Sequence, residues 1–234
     1  MVSKCPGQDT RFWGPDDIYS VECPKCGRAV EFFKDDIRRR CRHCGFMFLN
    51  PRLDLGCATW CQYAEQCVGA MGRDEFREIL TLAVKDYFDG DRERINDSLK
   101  ILEFAERILE KEGGNPKVVI AAAVLREIGL GEEDKGAHKA GKSNDEGDRL
   151  DVVKAILERS GSTKEIVEEV SQIIQEQLHN RRIDTLNSKI VYDAGRLAGL
   201  SADSESLNKA QLKEAIKETL LTPTGRKIAE ELYL

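Results

Sequence analysis

From Asp74 to the C-terminus, apolar positions recur at the three- and four-residue spacing of amphipathic helices. The spacing predicts helices over about 74–88, 92–112, 116–129, 149–160, 163–179, 185–199, 208–220 and 223–232. In the second of these, Ile101, Phe104 and Ile108 line one face, and Asp97 extends the line toward the N-terminus. In the fifth, Ile166, Val170 and Ile173 are followed by Gln177, beside Glu176. In the sixth, Leu186, Ile190 and Leu197 are interrupted by Asp193. The stretch from Val118 to Leu125 is apolar all round, which predicts a central buried helix.

Boundary residues agree with this reading. Gly113-Gly114 ends one helix and Asn115-Pro116 opens the next, while Ser162-Thr163 and Thr222-Pro223 carry N-terminal capping chemistry. Residues 131–148 have almost nothing to bury and predict a surface loop.

Before residue 71 the helical period is lost. Short β-type pieces, Ala29–Phe33 and Phe46–Phe48, stand among Gly, Pro and Cys, and alternation between Cys26 and Cys41 predicts a hairpin joining two turns. The expected architecture is mainly α: a helical body over 71–234 preceded by a small β zinc ribbon over 1–70.

Composition adds one point. Residues 1–70 carry ten Lys/Arg against nine Asp/Glu, so of the net charge of −6 the body holds −7, a poor nucleic-acid surface. No apolar run reaches membrane-spanning length, and the first residues lack the apolar stretch of a secretory signal. A reducing cytoplasmic setting without membrane contact is the expectation, and it bears on the cysteines.

All eight cysteines fall between Cys5 and Cys67. Cys23-Pro-Lys-Cys26 and Cys41-Arg-His-Cys44 are paired C-x-x-C knuckles, each aiming two thiolates at one centre, with Gly27 and Gly45 to make the tight turns. This spacing points to structural zinc. Cys5, Cys57, Cys61 and Cys67 form a second set of four, at a spacing less typical of zinc and tolerated by iron–sulfur clusters, which leaves zinc and [4Fe–4S] both open. Around the second knuckle, Arg38, Arg39, Arg40 and Arg42 cluster near Phe32, Phe33, Phe46 and Phe48. They either neutralise the thiolate centre or touch nucleic acid. His43 sits in a knuckle that already has its sulfurs and is expected at the surface.

In the body, Asp97, Glu176, Gln177 and Asp193 intrude on apolar faces, and Arg126-Glu127 ends the central helix. Buried charges need partners, so these positions are expected to meet. The segments Arg94–Leu99, Ala123–Gly129 and Ile190–Ala194 resemble the three metal-binding helices of the HD-domain phosphohydrolase superfamily. Leu221–Ala229 is similar to the end of some bacterial members that carry a cysteine-rich N-terminal extension.

The resemblance implies a divalent metal held by a His, a His-Asp doublet and an Asp, activating water against a phosphoester. This chain has Asp97 for the first His and Arg126-Glu127 for the doublet, and it keeps only Asp193. Glu176-Gln177 replaces a further His pair, and His138 and His179 fall elsewhere. No imidazole donor remains, and Arg126 brings a fixed positive charge to where a dication would sit. The expectation is a salt-bridged vestige of that site, with Gly129 as a left-handed helix cap.

The Gly-Lys-Ser at 141–143 lacks the first glycine and the preceding strand of a P-loop. No catalytic residue is therefore expected. The leading functional reading is a non-catalytic binding or regulatory protein that docks to a protein partner or senses a phosphorylated small molecule. Two alternatives stand beside it. One is a phosphohydrolase with an all-oxygen metal site at Asp97, Glu127, Glu176 and Asp193 and with Arg126 on the phosphate. The other is a nucleic-acid or iron–sulfur redox module in the head.

Overall fold

A computed structural model describes residues 10–59, 71–130, 146–179, 184–204 and 209–234. The chain divides into two compact units: Met1–Gly72 with Glu158–Ser162, and Arg73–Leu157 with Thr163–Leu234.

In the first unit, β1 (Ile18–Glu22) pairs antiparallel with β2 (Ala29–Phe33), and β3 (Arg38–Arg40) pairs with β4 (Met47–Leu49). The register runs Ile18↔Phe33 to Glu22↔Ala29 in one hairpin and Arg38↔Leu49 to Arg40↔Met47 in the other. This corrects the expected hairpin between Cys26 and Cys41: each C-x-x-C knuckle is the tip of its own hairpin. The reason is local. Cys23 N–H donates to Arg28 O at 2.9 Å and Cys41 N–H to Phe46 O at 2.8 Å, so each knuckle closes a hairpin turn. Gly27 at φ +68° and Gly45 at φ +73° supply left-handed backbone that other residues adopt only under strain.

Alternation along the strands buries Val30, Phe32 and Phe48 with Cys23 and Cys41, and Phe32 meets Phe48 edge-on at 5.2 Å. Asn50, which no motif distinguishes, joins the hairpins. Its buried amide donates to Asp36 O at 3.0 Å and accepts from the Tyr19 hydroxyl at 2.6 Å.

Eight α-helices are seen among the described residues: α1 (Arg73–Phe88), α2 (Arg92–Glu112), α3 (Pro116–Leu130), α4 (Glu146–Arg159), α5 (Lys164–Leu178), α6 (Leu186–Ser204), α7 (Lys209–Thr219) and α8 (Pro223–Tyr233). α3 is the axis of the second unit and packs on α1, α2, α5 and α6. Every residue from Val118 to Leu125 is fully buried, as an all-round apolar helix requires.

The ends follow the sequence signals closely. Asp91 accepts from Arg94 N–H at 3.2 Å, Asn115 from Lys117 N–H at 3.1 Å, and Thr222 from Gly225 N–H at 3.0 Å, with Pro223 in the first turn. Thr163 holds the extended N-cap backbone without a side-chain cap bond. Of the predicted 131–148 loop, residues 131–145 lie outside the described set, and α4 begins at Glu146.

Two expectations about faces are corrected. Gly129 is not a left-handed cap. It lies inside α3, where a Cβ would come within 2.4 Å of Ile174 Cγ2, so the missing side chain lets α3 and α5 approach. Leu186 begins α6 in an exposed position, and the buried line of that helix starts at Ile190.

A candidate metal centre and a dispersed charge set

At the knuckle tips, Cys23 Sγ lies 3.7 Å from Cys44 Sγ, and Cys26 Sγ lies 3.7 Å from Cys41 Sγ. All four sulfurs fall within 4.8 Å of one another. Thiolates about 2.3 Å from one ion stand about 3.8 Å apart at the corners of a tetrahedron. The spacing therefore fits a single ion. A cubane cluster puts each sulfur on a different iron and would hold them wider. Cys23 and Cys41 are buried, Cys26 and Cys44 half-buried, and the four can hold a metal.

Two of the thiols are shifted in opposite directions. Backbone N–H groups of Cys44 and His43 favour the Cys41 thiolate and bring it down to about 6. Cys26 accepts from Arg28 N–H, which lowers it. Burial and the sulfurs of Cys44, Cys41 and Cys23 outweigh that bond and push it up to about 12. Cys41 is thus poised to ionise while Cys26 is held protonated, so a dication completes what the backbone dipoles begin.

Of the second cysteine set, Cys57 is exposed on a short 3₁₀ turn, Gly56–Thr59, and Cys5, Cys61 and Cys67 lie outside the described residues. His43 is exposed, as expected. Of the aromatics around the arginine cluster, Phe32 and Phe48 are buried. Phe33 is covered by Arg39, whose guanidinium carbon stands 4.6 Å from the ring centre while its Nε binds Asp36.

In the body, the charged positions expected to meet are dispersed. Asp97 is exposed near the start of α2, and the buried face of that helix begins one residue later at Ser98. Arg126 Nε donates to Gln177 Oε1 at 2.8 Å, and its Nη1 pairs with Glu127. The same guanidinium lies against α6 at Gly195, where a Cβ would stand 2.9 Å from Arg126 Cζ. Glu176 instead accepts from Ser188 at 2.8 Å and from Gln172 at 2.8 Å.

Asp193 is fully buried and turned toward the chain that leads into α8. Its Oδ1 accepts from Leu221 N–H at 2.8 Å, and its Oδ2 accepts from Thr222 N–H at 2.7 Å and the Thr222 hydroxyl at 2.6 Å. Burial raises its pKa above the ordinary value. The bonds from Leu221 and Thr222 and the nearby Arg226 lower it but do not offset the desolvation. His179 pairs with Glu146 at 2.9 Å, and His138 lies outside the described residues.

Thus Arg126, Glu127 and Gln177 come together, and Asp97, Glu176 and Asp193 do not join them. Among the described residues, the four knuckle cysteines are the only group of three or more His, Cys, Asp or Glu whose ligand atoms converge. Thr222-Pro223 was legible as a helix start, but its link to Asp193 was not. The N–H groups of Leu221 and Thr222, just before that helix, need an acceptor, and Asp193 provides it.

These features define a mainly helical protein with a four-cysteine knuckle domain at its N-terminal end. Comparison with known proteins gives no match, either to a family model, to a curated protein or to a solved structure. Among the described residues, no helix is long and apolar enough to cross a membrane.

Proposed function

We propose that this chain is a non-catalytic docking protein, with a zinc-held head and a degenerate HD-type helical body, working in a reducing cytoplasmic compartment. The observation that carries the reading is the fate of the body's charged residues. Asp193, which stands where the superfamily keeps a ligand, has both oxygens occupied by the start of α8. Arg126 is bound by Gln177 and Glu127, and Asp97 is exposed near the start of α2. Carboxylates spent on internal donors are poorly placed to share an ion. The single-ion spacing of the knuckle sulfurs and the all-sulfur donor set support zinc in the head, where Cys23, Cys26, Cys41 and Cys44 would hold it as a folding element.

Elemental analysis of anaerobically purified protein, together with phosphate release from generic phosphoesters in Mn²⁺, tests the proposal. Zinc that is lost on Cys41→Ser and no Mn²⁺-dependent turnover is the expected result. Stoichiometric Mn that falls on Glu127→Gln along with phosphate release would overturn it and restore the hydrolase.

A further inference from the structure

The thiolate end of the head is a one-sign surface. No Asp or Glu occurs at positions 23–28 or 38–53, whereas Lys25, Arg28, Arg40 and Arg42 are all exposed there. Among the described residues, none of these four pairs with a carboxylate. Four thiolates on a dication leave a net charge of −2, which two cations neutralise, so the collar exceeds what the centre needs by two.

Exposed apolar surface adjoins the collar at Arg40. Met47 is 47% exposed, and its cross-strand partner is Arg40. Phe46 is 39% exposed and lies parallel to Phe48 at 6.3 Å. Both sit beside a knuckle whose Cys41 N–H binds Phe46 O, so the presentation depends on the fold of the metal centre. Arg, Met and aromatic side chains are the types enriched in protein interfaces, and carboxylates the types depleted.

We propose that this end of the head docks an acidic peptide segment of a partner protein. A large apolar side chain of that segment seats on Phe46 and Met47, and its carboxylates face Lys25, Arg28, Arg40 and Arg42. Charge complementarity selects an acidic occupant. The aromatic faces argue against a nucleic acid, which needs several uncovered rings for base stacking. Lys34 lies over Trp13 at 5.4 Å, Arg39 over Phe33 at 4.6 Å and Arg52 over Tyr19 at 4.6 Å, so these faces are taken. The proposal rests on the reading of the head as a metal-held docking scaffold and names its partner chemistry.

The test is fluorescence anisotropy with the full chain and three labelled probes: a short Asp/Glu-rich peptide with one central Leu, the same peptide with Ser in that place, and oligo-dT. Zinc content is measured on every variant. The Leu peptide should bind and weaken with added salt, and the Ser peptide, Phe46→Ser and Met47→Ser should each lose about tenfold. Arg40→Glu with Arg42→Glu should abolish binding while zinc is retained.

Absence of peptide binding by zinc-loaded protein overturns the docking proposal and leaves the metal-held head intact. Undiminished peptide binding in the zinc-loaded variants overturns it as well, as does oligo-dT binding more tightly than the peptide. Purified protein without zinc overturns the underlying reading and this proposal together.

Discussion

Replacing Asp193 by Ala should destabilise the helical body by about 2–4 kcal/mol, because the carboxylate is the acceptor for the start of α8. The magnitude follows from its three bonds. Thr222 is 2% exposed, so its backbone N–H loses its acceptor where water cannot replace it, at about 1–3 kcal/mol. Leu221 is 37% exposed, so its N–H can be rehydrated in part and contributes less. The Thr222 hydroxyl can rotate but keeps its role as acceptor from Gly225. Against these losses stands the desolvation cost of a buried carboxylate, which the substitution removes.

Asp193→Asn is the sharper variant. It keeps the volume and one acceptor oxygen but turns an amide NH₂ toward an N–H donor, so about 1–3 kcal/mol should be lost. Chemical denaturation followed by circular dichroism, with zinc present throughout, measures both. Stability within about 0.5 kcal/mol of the parent for Asp193→Ala, at unchanged m-value, would refute the capping role. If that variant instead lost a bound divalent ion, Asp193 would be a metal ligand.

Four further outcomes are expected. The raised pKa of Asp193 means that the folded state binds its proton more tightly than the unfolded chain does. The stability it adds is thus complete below the unfolded value near 3.8 and falls as pH rises through the raised one, so the deficit of Asp193→Asn should narrow with rising pH in denaturation series. Arg126→Met should cost about 1–2 kcal/mol in the same assay, a figure held down by the 21% exposure of the arginine side chain, because Glu127 and Gln177 Oε1 lose their donor. Gly129→Ala should destabilise by about 1–3 kcal/mol despite better helix propensity, since the new methyl would meet Ile174 Cγ2. Chelation or Cys41→Ser should remove the near-ultraviolet signal of the head aromatics while the far-ultraviolet helix signal persists.

Local sequence pattern alone determined much about this protein: the helices and the nature of their ends, the buried central α3, and the four sulfurs that share one centre. These are local properties. A 3.6-residue period, a capping residue or a C-x-x-C turn acts within a few positions of the chain.

What only the tertiary structure decided was which distant groups face one another. Asp193 sits on the buried line that the pattern assigned to it, but its partners are the backbone N–H groups of Leu221 and Thr222 and the Thr222 hydroxyl, which no local pattern connects to position 193. Asp97 lies on the extrapolated apolar line and is nevertheless exposed near the helix start, because a stripe states where a face points and not how far the neighbouring helix covers it. Gly129 read as a cap because glycine serves both helix ends and close approaches, and only the position of Ile174 separates the two uses. The two knuckles were legible as ligands. Their placement at the tips of two separate hairpins, joined by Phe32 against Phe48 and by Asn50, was settled by packing and hydrogen bonds across segments that no local pattern connects.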